Sequence, residues 1–231
     1  MVQTQPCSGS DRSDTFASAL QAVNTADSAQ GLIDAVEAFS VLKDERAIPM
    51  LIEVLGFNNP GAAVAAVEGL IQIGIPAATA LLKQLDDYNY GARAWAIRAL
   101  AGIGDPRGQD LLLQAAVEDF AMSVRRAAAR GLGTIRWHEI PFAERQGRQL
   151  RSQTALLKAT QDEEWVVRYA AIVGLQALAT ALDPPQSAEP LATIHKHLQT
   201  LVAQDDTLTV RARSRWALQS IEAHLNRRIC S

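Results

Sequence analysis

Apolar residues recur along this chain at i, i+3 and i+4 spacing and not in alternation, which predicts helices throughout. The pattern is also self-similar. Residues 61–74, 91–104, 123–136, 166–179 and 209–222 align as five copies of one helix, in which Leu70, Leu100, Leu132, Leu175 and Leu218 coincide. Three positions later stand Ile73, Ile103, Ile135, Leu178 and Ile221, so each copy carries one core-facing stripe. Residues 39–48 have the same shape. There Leu42-Lys-Asp-Glu-Arg46-Ala matches Ile103-Gly-Asp-Pro-Arg107-Gly, with Phe39 in the Leu100 slot, and a sixth copy begins near Ser28.

Each copy ends at a Gly or Pro signal, as at Gly74-Ile-Pro76 and Gly104-Asp-Pro106, and an apolar helix follows, as at 48–55 and 110–117. One repeat is therefore two helices. No hairpin of this kind can bury its Leu and Ile face alone, so the copies must stack. The expected fold is all-α: an α-α superhelix, a HEAT-like repeat solenoid of about six helical hairpins. Residues 1–14 read as a flexible N-terminal tail and 15–231 as a single solenoid. The spacing between equivalent Leu residues is 30 and 32 residues up to Leu132, then 43 to Leu175 and 43 to Leu218. Insertions are expected in the later loops, at 136–151 with Trp137, His138 and Pro141, and at the Pro-rich stretch 181–190.

An Asp precedes an Arg by six residues once per repeat: Asp87 and Arg93, Asp119 and Arg125, Asp162 and Arg168, Asp205 and Arg211. An Asp in the turn and an Arg in the first turn of the next helix can bond the turn backbone and stitch neighbouring repeats. The preceding copy has Phe57 and Ala63 in those slots, so the ladder should fade toward the N-terminus.

Composition narrows the function. Lys plus Arg number 22 against 25 Asp plus Glu, for a net charge of -3, which lacks the basic excess of a nonspecific nucleic-acid binder. Apolar residues make up 48%, enough for a continuous core, and Ala, Leu, Arg and Gln favour helix. The two cysteines, Cys7 and Cys230, sit at opposite ends outside any CxxC or metal-ligand spacing. No apolar stretch approaches the roughly 20 residues that span a bilayer. The first residues are Gln, Ser, Thr and Asp and not a basic then apolar run, so no membrane association and a cytoplasmic location are expected.

No nucleophile elbow, Walker loop or dinucleotide fingerprint is present. His138-Glu139 is a single His-Glu pair, too few to surround two metals, and no metal site is expected. His195 and His197 are two apart and point to different faces of a helix, as solvated surface residues do. Polar and aromatic groups gather between 86 and 169: Asp86, Asp87, Tyr88, Tyr90, Trp95, Arg98, Arg126, Arg130, Trp137, His138, Trp165 and Tyr169. Arg98 and Arg130 hold equivalent positions one repeat apart, outside the Asp and Arg ladder. They are either two solvated arginines or a pair that binds an anion. Trp95 and Trp165, near their helix starts, can equally fill gaps between repeats.

At Asp86-Asp-Tyr-Asn-Tyr-Gly-Ala-Arg-Ala-Trp-Ala-Ile-Arg-Ala-Leu-Ala-Gly-Ile-Gly-Asp-Pro-Arg107 and Ser123-Val-Arg-Arg-Ala-Ala-Ala-Arg-Gly-Leu-Gly133, the chain resembles the two-subunit phycobilin lyases of cyanobacteria and red algae. The likeness covers residues 30–178 well and the last repeats more loosely, and the length resembles the F-type subunit. The resemblance implies a heterodimer with an E-type subunit that attaches phycocyanobilin, the substrate, to a cysteine of the phycocyanin α subunit, with no cofactor of its own. F-type subunits that also isomerise the bilin carry an Asn-His-Cys motif. None occurs here, so ligation without isomerisation is expected.

The site assignments follow from the chemistry of such a substrate. A bilin has two propionates and, when protonated, a cationic conjugated system, which calls for Arg at the carboxylates, a carboxylate at the pyrrole nitrogens and aromatic walls. Asp86, Asp87 and His138 are the candidate catalytic residues. Arg98, Arg126 and Arg130 are candidates for the propionates, and Tyr88, Tyr90, Trp95, Trp137 and Tyr169 for the rings. The surface around Phe39, Leu42, Phe57 and Val64 is the candidate partner contact. The competing readings are a noncatalytic HEAT-repeat adaptor and a bilin-handling factor in phycobilisome turnover.

Overall fold

The computed structural model describes residues 9–84, 90–182 and 188–229. Among the described residues the regular elements are α1 (Gly9–Thr25), α2 (Ala29–Val41), α3 (Ile48–Val54), α4 (Pro60–Ile73), α5 (Ile75–Gln84), α6 (Tyr90–Ile103), α7 (Gln109–Glu118), α8 (Met122–Gly133), α9 (Phe142–Ala159), α10 (Trp165–Ala181), α11 (Ala188–Gln204) and α12 (Leu208–Ile229), with short 3-10 turns between some of them. The five aligned segments fall within one residue of the starts of α4, α6, α8, α10 and α12, and the sixth copy is α2, capped by the Ser28 side chain. None of these helices is long and apolar enough to cross a membrane.

The chain divides into two compact units, Met1–Ala99 and Leu100–Ser231, with the division inside α6. In the first unit α1 lies on α2, α2 packs against α4, and α3 packs against α4. Residues 9–14 belong to α1 and not to a tail, and Phe16 of α1 meets Phe39 with ring centroids 5.3 Å apart. Phe39 is fully buried there, so it is core and not the partner contact that the sequence indicates. In the second unit the even helices α8, α10 and α12 lie side by side, and the odd helices α7, α9 and α11 form the other layer. The hairpin register shifts by one helix from the sequence reading. In this unit each odd helix packs chiefly on the even helix after it, as α7 on α8 and α11 on α12, where the connecting Asp turn is short.

The longer spacing of the later repeats is helix and not loop. Residues 136–151, expected as a surface insertion, form a 3-10 turn and the first half of α9, with Pro141 at the N-cap, where its missing N–H costs nothing. Residues 188–190 open α11, while 183–187 lie outside the described residues. Small residues let the even helices approach closely. Gly133 and Gly174 pack backbone to backbone between α8 and α10, and a Cβ on Gly133 would collide with the Gly174 carbonyl. The turn after α6 needs φ +69° at Gly104, and Lys43 adopts φ 51° at the matching place. The following Asp and Arg then repeat atom for atom, Arg46 Nη2 donating to Asp44 and Arg107 Nη2 to Asp105, both at 2.6 Å. The Arg107 guanidinium holds the Asp105 carboxyl below the usual carboxylate range.

The Asp and Arg ladder joins these helices. Arg125 Nη1 donates to the Asp119 and Phe120 carbonyls at 3.0 Å, and its Nε and Nη2 donate to the Asp162 carboxylate of the following repeat at 2.7 and 3.0 Å. Arg168 repeats the arrangement on the Asp162 and Glu163 carbonyls and the Asp205 carboxylate, and adds Asp206 at 2.6 Å. Each Asp also caps its own turn, Asp162 accepting from the Glu164 N–H and Asp205 from the Thr207 N–H at 2.9 Å. The planar five-donor fork of Arg can serve a turn and a carboxylate together, which Lys cannot. Arg211, in the last repeat, donates from Nε to the Val202 carbonyl. Asp87 lies outside the described residues.

Burial would raise the Asp205 carboxyl, but the Arg168 fork and the Thr207 N–H outweigh it and hold it below the usual carboxylate range. A carboxyl depressed in the fold gives stability that is present above its unfolded pKa and lost as pH falls through its folded pKa. Stability should therefore hold from neutral pH to about 5 and decline below about 4. Arg168→Ala strands the Asp205 carboxylate, whose side chain is 4% exposed, and should cost about 3–5 kcal/mol. Arg151→Ala removes an exposed pair with Asp110 and should cost at most about 1 kcal/mol. Urea denaturation of the two variants across pH measures both effects.

Candidate functional site

Residues at the same offset in successive copies share a face of the even layer. In the second unit Arg126 matches Tyr169 and Ala212, Ala127 matches Ala170 and Arg213, and Arg130 matches Val173 and Trp216. Offsets of three, four and seven from a helix start lie on one side of a helix. Because α8, α10 and α12 lie side by side, these positions form one band across them. The Arg–Asp ladder holds the three helix starts in register, so the band follows from the same contacts that hold the unit together.

The band carries cations and rings. Arg126 and Arg130 are exposed on α8, and among the described residues neither makes a hydrogen bond or an ion pair. Tyr169 on α10 is half-buried, and Trp216 on α12 is 57% exposed. Between the two rings lies the Arg213 guanidinium, its carbon 5.7 Å from the Tyr169 centroid and 4.5 Å from the Trp216 centroid. Arg213 is 5% exposed, as buried as Arg125 and Arg168, yet its Nε and Nη1 meet no acceptor. Burial pushes its pKa down, and Tyr169 opposes that only in part.

The first unit holds a related pair. Arg98, exposed on α6, lies over the half-buried Trp95 ring at 5.4 Å from its centroid. The i, i+3 pair Trp95 and Arg98 stands at the same offsets as Arg213 and Trp216, with cation and ring exchanged. That exchange was the available signal for Arg213 and Trp216, which the sequence-predicted cluster omits.

The other predicted residues are scattered. Asp86, Asp87 and Tyr88 lie outside the described residues, and Tyr90 is the first residue of α6. Trp137 is 5% exposed in the 3-10 turn after α8, so it is core and offers no wall to a ligand. His138 beside it has a side chain 78% exposed, with Nε2 3.9 Å from Glu139. The 3-10 turn carries it outward while Trp137 points in. Trp165 is exposed at the first position of α10 and fills no gap. His197, expected as solvated surface, is half-buried with Nε2 2.6 Å from Thr160 Oγ1. A cavity of about 270 Å³ is lined by Phe142, Leu150 and Leu157 of α9 and by Pro190 and Thr193 of α11, away from the even-helix band.

Residues 78–146 match the HEAT-repeat family. The chain is 53% identical over 205 residues to a phycobilisome maturation protein of Synechococcus elongatus, covering 88% of this chain and 97% of that protein. It is 50% identical over 202 residues to the phycocyanin alpha phycocyanobilin lyase CpcF of Synechocystis sp., covering 87% of this chain and 92% of the relative. Among solved structures, the complex of CpcE and CpcF of phycocyanin lyase from Nostoc sp. contains a similar chain, with a TM-score of 0.68 and 49% identity over 75% of this chain and 99% of that one.

Arg126→Ala and Arg130→Ala remove side chains that bond to no described neighbour, and each should change unfolding free energy by no more than about 0.5 kcal/mol. Thermal melts of the two variants beside Arg168→Ala separate a surface cation of the band from a ladder arginine.

Proposed function

Because the chain belongs to the family of F-type subunits of phycocyanobilin lyase, we propose that it pairs with an E-type subunit to attach phycocyanobilin through a thioether to a cysteine of the phycocyanin α subunit. The observation that carries the site is the even-helix band: guanidinium groups on α8 that no described residue pairs, beside the rings of Tyr169 and Trp216, with no nucleophile among them. That combination suits a lyase whose nucleophile comes from its acceptor. The acceptor thiol adds across the ethylidene double bond of ring A, sulfur bonding to the exocyclic carbon and a proton going to the ring carbon. No leaving group, oxidant or metal enters the balance. The lyase has only to hold the bilin, fix its geometry and present it, which is catalysis by positioning. The work is cytoplasmic, with phycocyanobilin as substrate and not as a resident cofactor.

Arg126 and Arg130 stand one helical turn apart and offer charge-assisted bonds to a propionate, while Tyr169 and Trp216 offer ring faces. His138 and the acidic pair Asp86 and Asp87 are candidates for the proton and the pyrrole nitrogens. The test is co-expression with the E-type subunit, a bilin source and the apo-phycocyanin α subunit. Covalent colour that survives acid urea is expected, and its absence with all four components folded and present sinks the reading. In that system Arg126→Ala and Arg130→Ala should each lower the apparent bilin affinity by about 1.5–3 kcal/mol, the range for a hydrogen bond to a charged group. Unchanged transfer in both would remove the propionate role from α8.

A further inference from the structure

Three arginines of the second unit are equally buried, and two of them are fully committed. Arg125 and Arg168 use their forks on carboxylates and turn carbonyls. Among the described residues no carboxylate pairs with Arg213, and both Nε and Nη1 are buried without an acceptor. A buried cation left unpaired is costly, and ring faces at 4.5 and 5.7 Å offset only part of that cost. The equivalent positions of the two preceding repeats carry Ala127 and Ala170, so the repeat itself does not call for an arginine here. Trp216, 4.5 Å from the guanidinium carbon, has more than half its own surface exposed, so its rotation would open the guanidinium with little loss of buried area.

We propose that Arg213 is an anion-binding residue that takes an organic carboxylate on its unpaired guanidinium edge, between the rings of Tyr169 and Trp216. The ligand class is an aromatic or conjugated molecule bearing a carboxylate: the acid meets the fork and the conjugated system meets the rings. On the lyase reading, and resting on it to this extent, the group is a bilin propionate. The substrate then spans the even-helix band, one propionate at Arg213 on α12 and the other at Arg126 and Arg130 on α8.

Two measurements test this separately from the lyase reading. In the full chain with nitrogen-15 arginine, the Arg213 Nε–H resonance, assigned by its loss in Arg213→Lys, is followed during titration with 3-phenylpropionate and with the neutral 3-phenylpropanol. A saturable shift with the acid alone is expected. No shift with the acid, or an equal shift with the alcohol, overturns the anion site. In the complex with the E-type subunit, KM for transfer is compared between phycocyanobilin and its dimethyl ester. Wild type should favour the acid by at least about tenfold, and Arg213→Met should erase much of that preference while melting no lower, since it removes an unpaired buried charge. An intact preference in Arg213→Met, or a preference intact while the melting temperature falls, marks Arg213 as structural and overturns the propionate assignment. Should Arg213→Met fail to fold, Arg213→Lys keeps the charge without the fork and should lose part of the preference. A wild-type complex that transfers no bilin defeats the lyase reading, and the titration with 3-phenylpropionate still decides Arg213.

Discussion

The structure of the second unit depends on what one arginine side chain can do at once. Leu and Ile stripes make the helices adhere, but apolar contact alone tolerates sliding by a turn. The fork of Arg125 or Arg168 does not tolerate it. Three of its nitrogens reach the carbonyls of its own turn and both oxygens of an Asp 37 residues on, and that Asp is itself fixed by an N–H of its own turn. Moving one helix by a residue against its neighbour breaks both bonds to that Asp, while the local turn bonds keep each partner fixed in place. The close passage of α8 and α10 at Gly133 and Gly174 sets the distance, and the ladder sets the register. With both fixed, side chains at equal offsets in different repeats lie abreast, and a binding surface is obtained by changing residues at those offsets.

The three buried arginines are accommodated in two different ways. Desolvating a guanidinium is costly wherever it is done. At Arg125 and Arg168 the cost is offset by carboxylates and carbonyls that the turns already supply. At Arg213 two rings stand in for them, and nitrogens are left over. A ladder arginine recurs because each turn needs one, whereas Arg213 occurs once, where its neighbours in the repeat carry alanine. Position within the repeat thus separates a residue the fold requires from one it merely accommodates.

The same logic explains what could be read from the sequence. The starts of the even helices were legible to within a residue because each carries the Leu and Ile stripe at a fixed offset, whereas α12 runs on to Ile229, seven residues past its aligned segment. The ladder was legible as a recurrence, although six-residue spacing shows only the bond to the local turn; the carboxylate partner belongs to the next repeat, and only packing reveals it. The hairpin register was not legible, since an apolar helix between two others does not say which it faces. Nor was α9, because Trp137, His138 and Pro141 look like loop residues until Pro141 is seen at the helix start. Trp137 failed as a site residue for a general reason: an aromatic ring flanked by polar residues in sequence is as easily tucked inward as displayed. Arg213 was missed for the converse reason, since arginines are mostly exposed and nothing in a local window marks one as buried.

A lyase of this kind also has reason to be built from repeats. Its chemistry needs no strained nucleophile and no enclosed pocket, because the acceptor cysteine attacks and the double bond it attacks is already in the substrate. It needs binding groups placed at intervals along an extended, flexible tetrapyrrole, and a substrate left open on one side so that a folded acceptor can reach ring A. Side-by-side helices in fixed register supply the intervals, about one helix diameter at a time. Arg126 and Arg130 on one helix, Tyr169 on the next, and Arg213 and Trp216 on the third provide cation, ring, then cation and ring again across α8, α10 and α12. An enclosed pocket would bury the bilin from water and from its acceptor alike, whereas the proposed band would hold it by its propionates and leave the reacting end accessible.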